Sequence, residues 1–189
     1  MSDTESGDVT TAVILDYLPH GKSGDDRPSY QKPAIAYALT EATFALVECT
    51  LAEGADLNIG DRITTKPKDE QVETVEHVDY DDLSGAARAE LEYVVRDIVE
   101  NNEQRFVDFY NDAQPISLRL HQLNLLPGIG KKLRNNILEQ RKRGPFESFE
   151  ELEERVKGLH KPKEVLVERI LEELHDDDLK YKAFVRREN

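Results

Sequence analysis

The spacing of apolar residues changes once along this chain, at about Asp81, and that change limits the fold more than any other feature. Before it, short runs rich in β-branched and aromatic residues are cut by turn signals. Ala12-Val13-Ile14-Leu15-Asp16-Tyr17-Leu18 ends at Pro19-His20-Gly21, and Lys22 to Gln31 reads as a loop. Ala34 to Thr40 and Phe44 to Leu51 flank a connection short enough for a hairpin. Arg62 to Thr65 and Thr74 to Tyr80 supply further strands. Five or six such strands with close turns predict a small antiparallel β-barrel, OB-like, over residues 11–80.

After Asp81 the period becomes helical. Leu83, Ala86, Ala87, Leu91, Val94, Val95 and Ile98 recur at helical spacing, which predicts a helix from Ser84 to Glu100. A helical connector spans 83–113, and its Phe106, Val107, Phe109 and Tyr110 read as packing residues. Pro115 restarts the chain, and 116–176 reads as a set of short helices. Residues 177–189 form a terminal strand or tail, since Lys180 to Arg186 alternates again; residues 1–10, acidic and hydroxyl-rich, read as a disordered tail and not a signal peptide. The expected class is α+β, a barrel followed by an all-α domain.

Charge is distributed unevenly along this order. The formal net charge of −14 disfavours contact with phosphate, yet residues 116–163 carry 11 Lys and Arg against 6 Asp and Glu. Residues 1–115 carry 9 against 25. One block thus has the opposite sign from its surroundings, which marks where an anionic partner would touch.

That block holds Leu126-Pro127-Gly128-Ile129-Gly130-Lys131-Lys132. A first helix containing Leu118, His121 and Leu125 is expected to end at Leu126-Pro127. Gly128 and Gly130 then make a turn too tight for larger side chains, with Ile129 as its apolar plug. A second helix, Lys131 to Arg143, stops at Gly144-Pro145. Its first turn has N–H groups without intrahelical acceptors, where an anion is favoured by the helix dipole. Lys131, Lys132 and Arg134 add charge there, and Arg141, Lys142 and Arg143 extend the basic tract. Such groups grip a sugar-phosphate backbone and read little sequence. The weighed alternative is an ordinary helical hairpin whose glycines only serve the turn. A weaker copy follows, with Lys157 to Pro162 as the turn and Lys163 to Leu174 as the partner helix. It lacks the second glycine, so a structural role is expected.

Together LHQLNLLPGIGKK, RKRGPFESFEELEERV and the closing KYKAFVR resemble an archaeal family of unknown function that joins an OB-like barrel to a tandem helix-hairpin-helix domain. The resemblance implies RNA binding ahead of DNA, although backbone N–H contacts tolerate both. It also implies that the carbonyls of Leu126 and Gly128 are where a monovalent cation would bridge to phosphate. No cofactor is expected.

No nucleophile elbow, phosphate-binding glycine loop or zinc spacing occurs, so no catalytic residue is assigned and binding without catalysis is expected. His20, His77, His121, His160 and His175 are scattered, and Cys49 stands alone among apolar neighbours. No apolar stretch spans a bilayer, which predicts a cytoplasmic protein. Tyr17, Tyr30 and Tyr37 are potential base-stacking surfaces, with packing as the simpler reading for Tyr17 and Tyr37. The rival function is a protein–protein adaptor in a ribonucleoprotein or transcription assembly, distinguished by whether the Gly128–Arg134 surface is open.

Overall fold

The strands form where the sequence alternates. In the computed structural model, which describes residues 8–187, β1 (Thr10–Leu18), β2 (Ile35–Thr40), β3 (Leu46–Leu51), β4 (Arg62–Lys66) and β5 (Val72–His77) make one sheet, ordered β4-β1-β2-β3-β5. Every neighbouring pair is antiparallel, and the first four strands follow Greek-key order. The expected tail lies mainly on residues 1–7, outside the described residues.

Connectivity forces this sheet to curl. β1 and β3 are both antiparallel to β2, so β4 and β5 run in the same direction on opposite edges. Lys66 pairs at the start of β1, with Thr10, and Val72 at the end of β3, with Leu51. Even fully extended, the chain from Lys66 to Val72 reaches only about 22 Å. A flat five-stranded sheet would separate the edges by about 19 Å across the strands alone, with the length of the strands still to cover. The result is a half-barrel: among the described residues no ladder joins β4 to β5, and an isolated bridge, Thr65 to Lys68, marks the connection.

Small residues line the core of the curl. Ala12, Ile14, Ala36, Ala38, Val47 and Cys49 form it with Leu51, Leu57, Ile63 and Val72. All of β2 is buried, so both faces of this central strand are covered. Burial, with the charge of Glu48, pushes the Cys49 thiol up to about 12 and leaves it unreactive. β5 spans Val72–His77 and not Thr74–Tyr80; it ends early because Asp79 and Asp82 cap each other around a 3-10 turn, Tyr80–Asp82.

The chain divides into two compact units, Met1–Val94 with Phe184–Asn189, and Val95–Ala183. Helix α1 (Gly85–Asn101) passes from one to the other. Ser84 starts it: its Oγ accepts from the Ala87 N–H at 3.1 Å and donates to Asp16 Oδ2 on β1 at 2.6 Å. The connector is broken at Asn102, whose non-helical backbone, φ −131° and ψ 43°, interrupts the helix before α2 (Glu103–Asp112).

In the second unit α2 is followed by α3 (Lys131–Lys142), α4 (Phe149–Arg155) and α5 (Pro162–His175). Phe106, Tyr110, Leu126, Ile137, Phe146 and Leu152 are among its fully buried side chains. The expected helix before Gly128 is only a 3-10 turn, Gln122–Leu125. Residues 114–122 fold as a small hairpin instead, with Pro115 bridged to His121 and Leu118 fully exposed. Of the two alternatives expected for 177–189, a terminal strand or a tail, the described residues to 187 form no strand. Within the second unit, Arg169 Nη2 donates to Tyr181 O at 2.6 Å and Glu173 Oε2 accepts from the Ala183 N–H at 3.0 Å. Side chains therefore take main-chain groups that a strand would have paired. Among the described residues no helix is long and apolar enough to cross a membrane.

Candidate functional site

The turn before α3 is set by its backbone. Leu126 O accepts from the Ile129 N–H at 3.2 Å, and Gly128 has φ +79°, a left-handed conformation that strains any residue with a Cβ. Ile129 points inward, 5% exposed, as expected of a plug. The expectation that side chains would crowd both glycines needs correction: a Cβ at Gly128 or Gly130 meets nothing within 4 Å. Gly128 is required by its φ alone. Gly130 has an extended backbone, φ −91° and ψ −168°, which any residue can adopt. Neither clash nor strain within the chain demands glycine there, and the space beside it is open.

Gly130 is the N-cap of α3, and no side chain caps it. The first-turn N–H groups of this helix thus face outward beside exposed Lys131 and Lys132, whose ammonium groups have no ion-pair partner among the described residues. Oriented N–H dipoles next to two such cations suit an anion with several acceptor oxygens. Arg134 is half-buried and held: its Nη1 donates to Asn124 Oδ1 at 3.0 Å, while Asn124 Nδ2 donates to Ile129 O at 3.2 Å. Asn124 Oδ1 also accepts from the His121 N–H at 3.1 Å. One amide thereby fixes the turn and aims the arginine, a role the sequence reading missed.

The far end of α3 divides. Arg141 turns inward, donating through Nη1 to Tyr110 O at 3.2 Å and Ala113 O at 2.9 Å, at the last carbonyls of α2. Burial presses its pKa down while Asp112 opposes, but a guanidinium stays charged. Lys142 and Arg143 remain exposed, Lys142 in a weak surface pair with Glu139 at 3.4 Å. The structure therefore groups Gly128, Gly130, Lys131, Lys132 and Arg134 at the turn and leaves Lys142 and Arg143 at the opposite end of the helix. His121 caps the 3-10 turn, its Nδ1 accepting from the Leu123 N–H at 3.1 Å, so its ring is neutral there. Burial, then Arg141 and Arg134, lowers its pKa.

Arg155 escaped the sequence reading altogether. From α4 it donates to Gln140 O at 2.5 Å and Gly144 O at 2.8 Å, closing the end of α3, and stacks 4.4 Å from the Phe146 ring. Its pair with Glu151 at 2.9 Å follows the i,i+4 spacing of a helix face, but its main-chain partners leave no signature in side-chain spacing. The second turn, at Gly158 with φ +92°, buries Leu159 much as the first buries Ile129, and a Cβ at Gly158 would lie 3.7 Å from Leu133 Cδ1 of α3. It packs on the first unit of the pair. Lys161 adopts a left-handed N-cap, and Pro162 at the first helical position has no N–H to offer.

The sheet presents little to a base. Tyr37 is buried and Tyr17 donates to Ala55 O at 2.9 Å, so both are packing residues; Tyr30 stays exposed. Asp79 pairs with Arg187 at 2.6 Å, and Asp176 Oδ1 accepts from the Asp178 N–H at 2.9 Å.

Fold and site define an α+β protein with a half-barrel sheet and a separate helical unit that carries an uncapped, basic helix start. The chain belongs to the family described as protein of unknown function DUF655, which it matches over residues 8–186. It is 39% identical over 178 residues to the uncharacterized protein MJ0038 of Methanocaldococcus jannaschii, covering 93% of this chain and 79% of that one. It also matches the crystal structure of Af1531 from Archaeoglobus fulgidus, a member of the same family, with a TM-score of 0.84 and 38% identity over 94% of this chain and 99% of the other.

Proposed function

We propose that this protein is a cytoplasmic, non-catalytic module that binds nucleic acid, RNA in preference to DNA, through a helix-hairpin-helix-like element in which the 3-10 turn Gln122–Leu125 stands in for the first helix, residues 126–130 make the hairpin and α3 is the second helix. The observation that carries the reading is Gly130: an exposed, uncapped helix start with open space beside it and Lys131 and Lys132 adjacent. A phosphate seated there accepts from the first-turn N–H groups. A monovalent cation would use the carbonyls of Leu126 and Gly128, the first of which already accepts from Ile129. Contacts of this kind hold the backbone and leave sequence unread.

The half-barrel, read as OB-like, has a different part. Its strand β5 exposes Glu73, Thr74, Glu76 and His77, which repels phosphate and favours the adaptor reading for this unit, with a protein partner docking there. Fluorescence anisotropy of labelled single-stranded RNA, structured RNA and duplex DNA across a KCl series tests the assignment. The expected result is binding to RNA that weakens with salt. Absence of binding to all three probes at every salt concentration replaces the reading with the adaptor.

A further inference from the structure

We propose that Leu118 is an apolar wedge that enters an interrupted nucleic-acid helix, at a bulge or unpaired step, while the Gly130 turn holds the adjoining backbone; this rests on the binding reading above. The hairpin that presents Leu118 is firmly built. Ile116 and Ser117 donate from their N–H groups to Leu120 O at 2.7 and 3.0 Å, and Ser117 Oγ accepts from the Leu120 N–H at 3.1 Å. At its base Gln122 donates from its N–H to Gln114 O at 2.9 Å, and Gln122 Oε1 accepts from the Gln114 N–H at 2.8 Å. At the tip Leu118 has a relative exposure of 106%, the highest of the exposed large hydrophobics, so the chain gives it no packing at all.

A rigid tip that holds one leucine clear of the chain offers that side chain whole to a partner. The charge around it selects that partner. Arg119 follows directly, the positively charged block begins at residue 116, and the hairpin runs through Gln122–Leu125 into the Gly128 turn. An exposed arginine beside an apolar point suits stacked bases framed by phosphates. Apolar side chains that insert between bases unstack them, and the cost is least where the helix is already broken. RNA is recognised mostly at such bulges and loops.

The test uses the full chain with RNA and DNA duplexes, each unbroken or carrying a one-nucleotide bulge beside 2-aminopurine, whose fluorescence rises on unstacking. Wild type is expected to bind the bulged duplex roughly 10-fold or more tighter than the unbroken one, from burial of one leucine, and to raise the fluorescence. Leu118→Ala should bring that ratio close to one and lose the rise, with an unchanged melting temperature because the side chain touches nothing. The RNA and DNA arms show which helix is the target. A Leu118→Ala protein that keeps both ratio and fluorescence overturns the wedge. If Gly130→Asp abolishes binding in that same case, the wedge falls alone; if wild type binds no probe, wedge and binding reading fall together.

Discussion

Replacing Gly130 with aspartate should move stability and binding in opposite directions. Gly130 already has the extended backbone of an N-cap, and a Cβ there meets nothing within 4 Å, so the substitution fits without strain. An aspartate at this position accepts from a first-turn N–H, worth a few tenths of a kcal/mol over glycine. Its charge at the helix start adds about 0.3–1 kcal/mol. The sum, about 0.5–1 kcal/mol, raises the melting temperature by roughly 1–4 °C in a chain of this size. For a phosphate the same carboxylate is an obstacle. It occupies the N–H groups and sets a negative charge about 5 Å from the ligand, costing about 1 kcal/mol in water and about 3 kcal/mol at an effective dielectric of 20. Affinity should therefore fall at least 5-fold and up to about 100-fold, in a protein that melts no lower than wild type. Gly130→Asn, with the same shape and no charge, should lose less. Thermal melts beside anisotropy on structured RNA measure both. Undiminished affinity in a folded Gly130→Asp protein would refute the reasoning.

Replacing Lys131 and Lys132 together by glutamine should reduce the slope of log affinity against log KCl by about 1.5, since each neutralised phosphate contributes about 0.7–0.9. Arg141→Gln, which strips a charged donor from the carbonyls of Tyr110 and Ala113, should cost about 1–3 kcal/mol of stability and change the affinity of the folded protein less than twofold. Arg169→Ala leaves Glu173, fully buried and 2.8 Å from the lost Nε, without its cation; the loss should reach about 3–5 kcal/mol, and pairing it with Glu173→Leu should restore much of it. His121 has a folded pKa below its ordinary 6.5, so unfolded chains take up the proton first as pH falls. Its contribution is complete above pH 6.5 and is lost as pH drops through that value; denaturation at pH 7.5 and 5.5 should show a larger loss for wild type than for His121→Asn, which keeps a cap without titrating.

The half-barrel strands were legible because alternation and turn residues agree, and α1 because Ser84 precedes a clean helical period. What failed was structure set by distant partners. The alternating Lys180 to Arg186 looks like a strand, but Arg169 and Glu173 occupy its main-chain groups. Leu118 fits a helical spacing with His121 and Leu125, yet Ser117 Oγ and the Gln114–Gln122 pair close a hairpin there instead. At the candidate site the glycines, the plug and the two lysines were readable from local sequence. The inward turn of Arg141 and the roles of Arg155 and Asn124 were not, since each acts on carbonyls or amides contributed by other segments, and Asn124 looks like any surface asparagine.

The division into units has a consequence for biogenesis. The chain leaves the sheet-containing unit at Val94 and returns to it only at Phe184, where the Arg186 N–H reaches Thr43 O at 2.8 Å and Arg187 pairs with Asp79. During synthesis the helical unit is thus complete before the unit that precedes it, and the earlier one waits for Arg186 and Arg187 to emerge. Loss of only a few residues after Ala183 would damage the region made first.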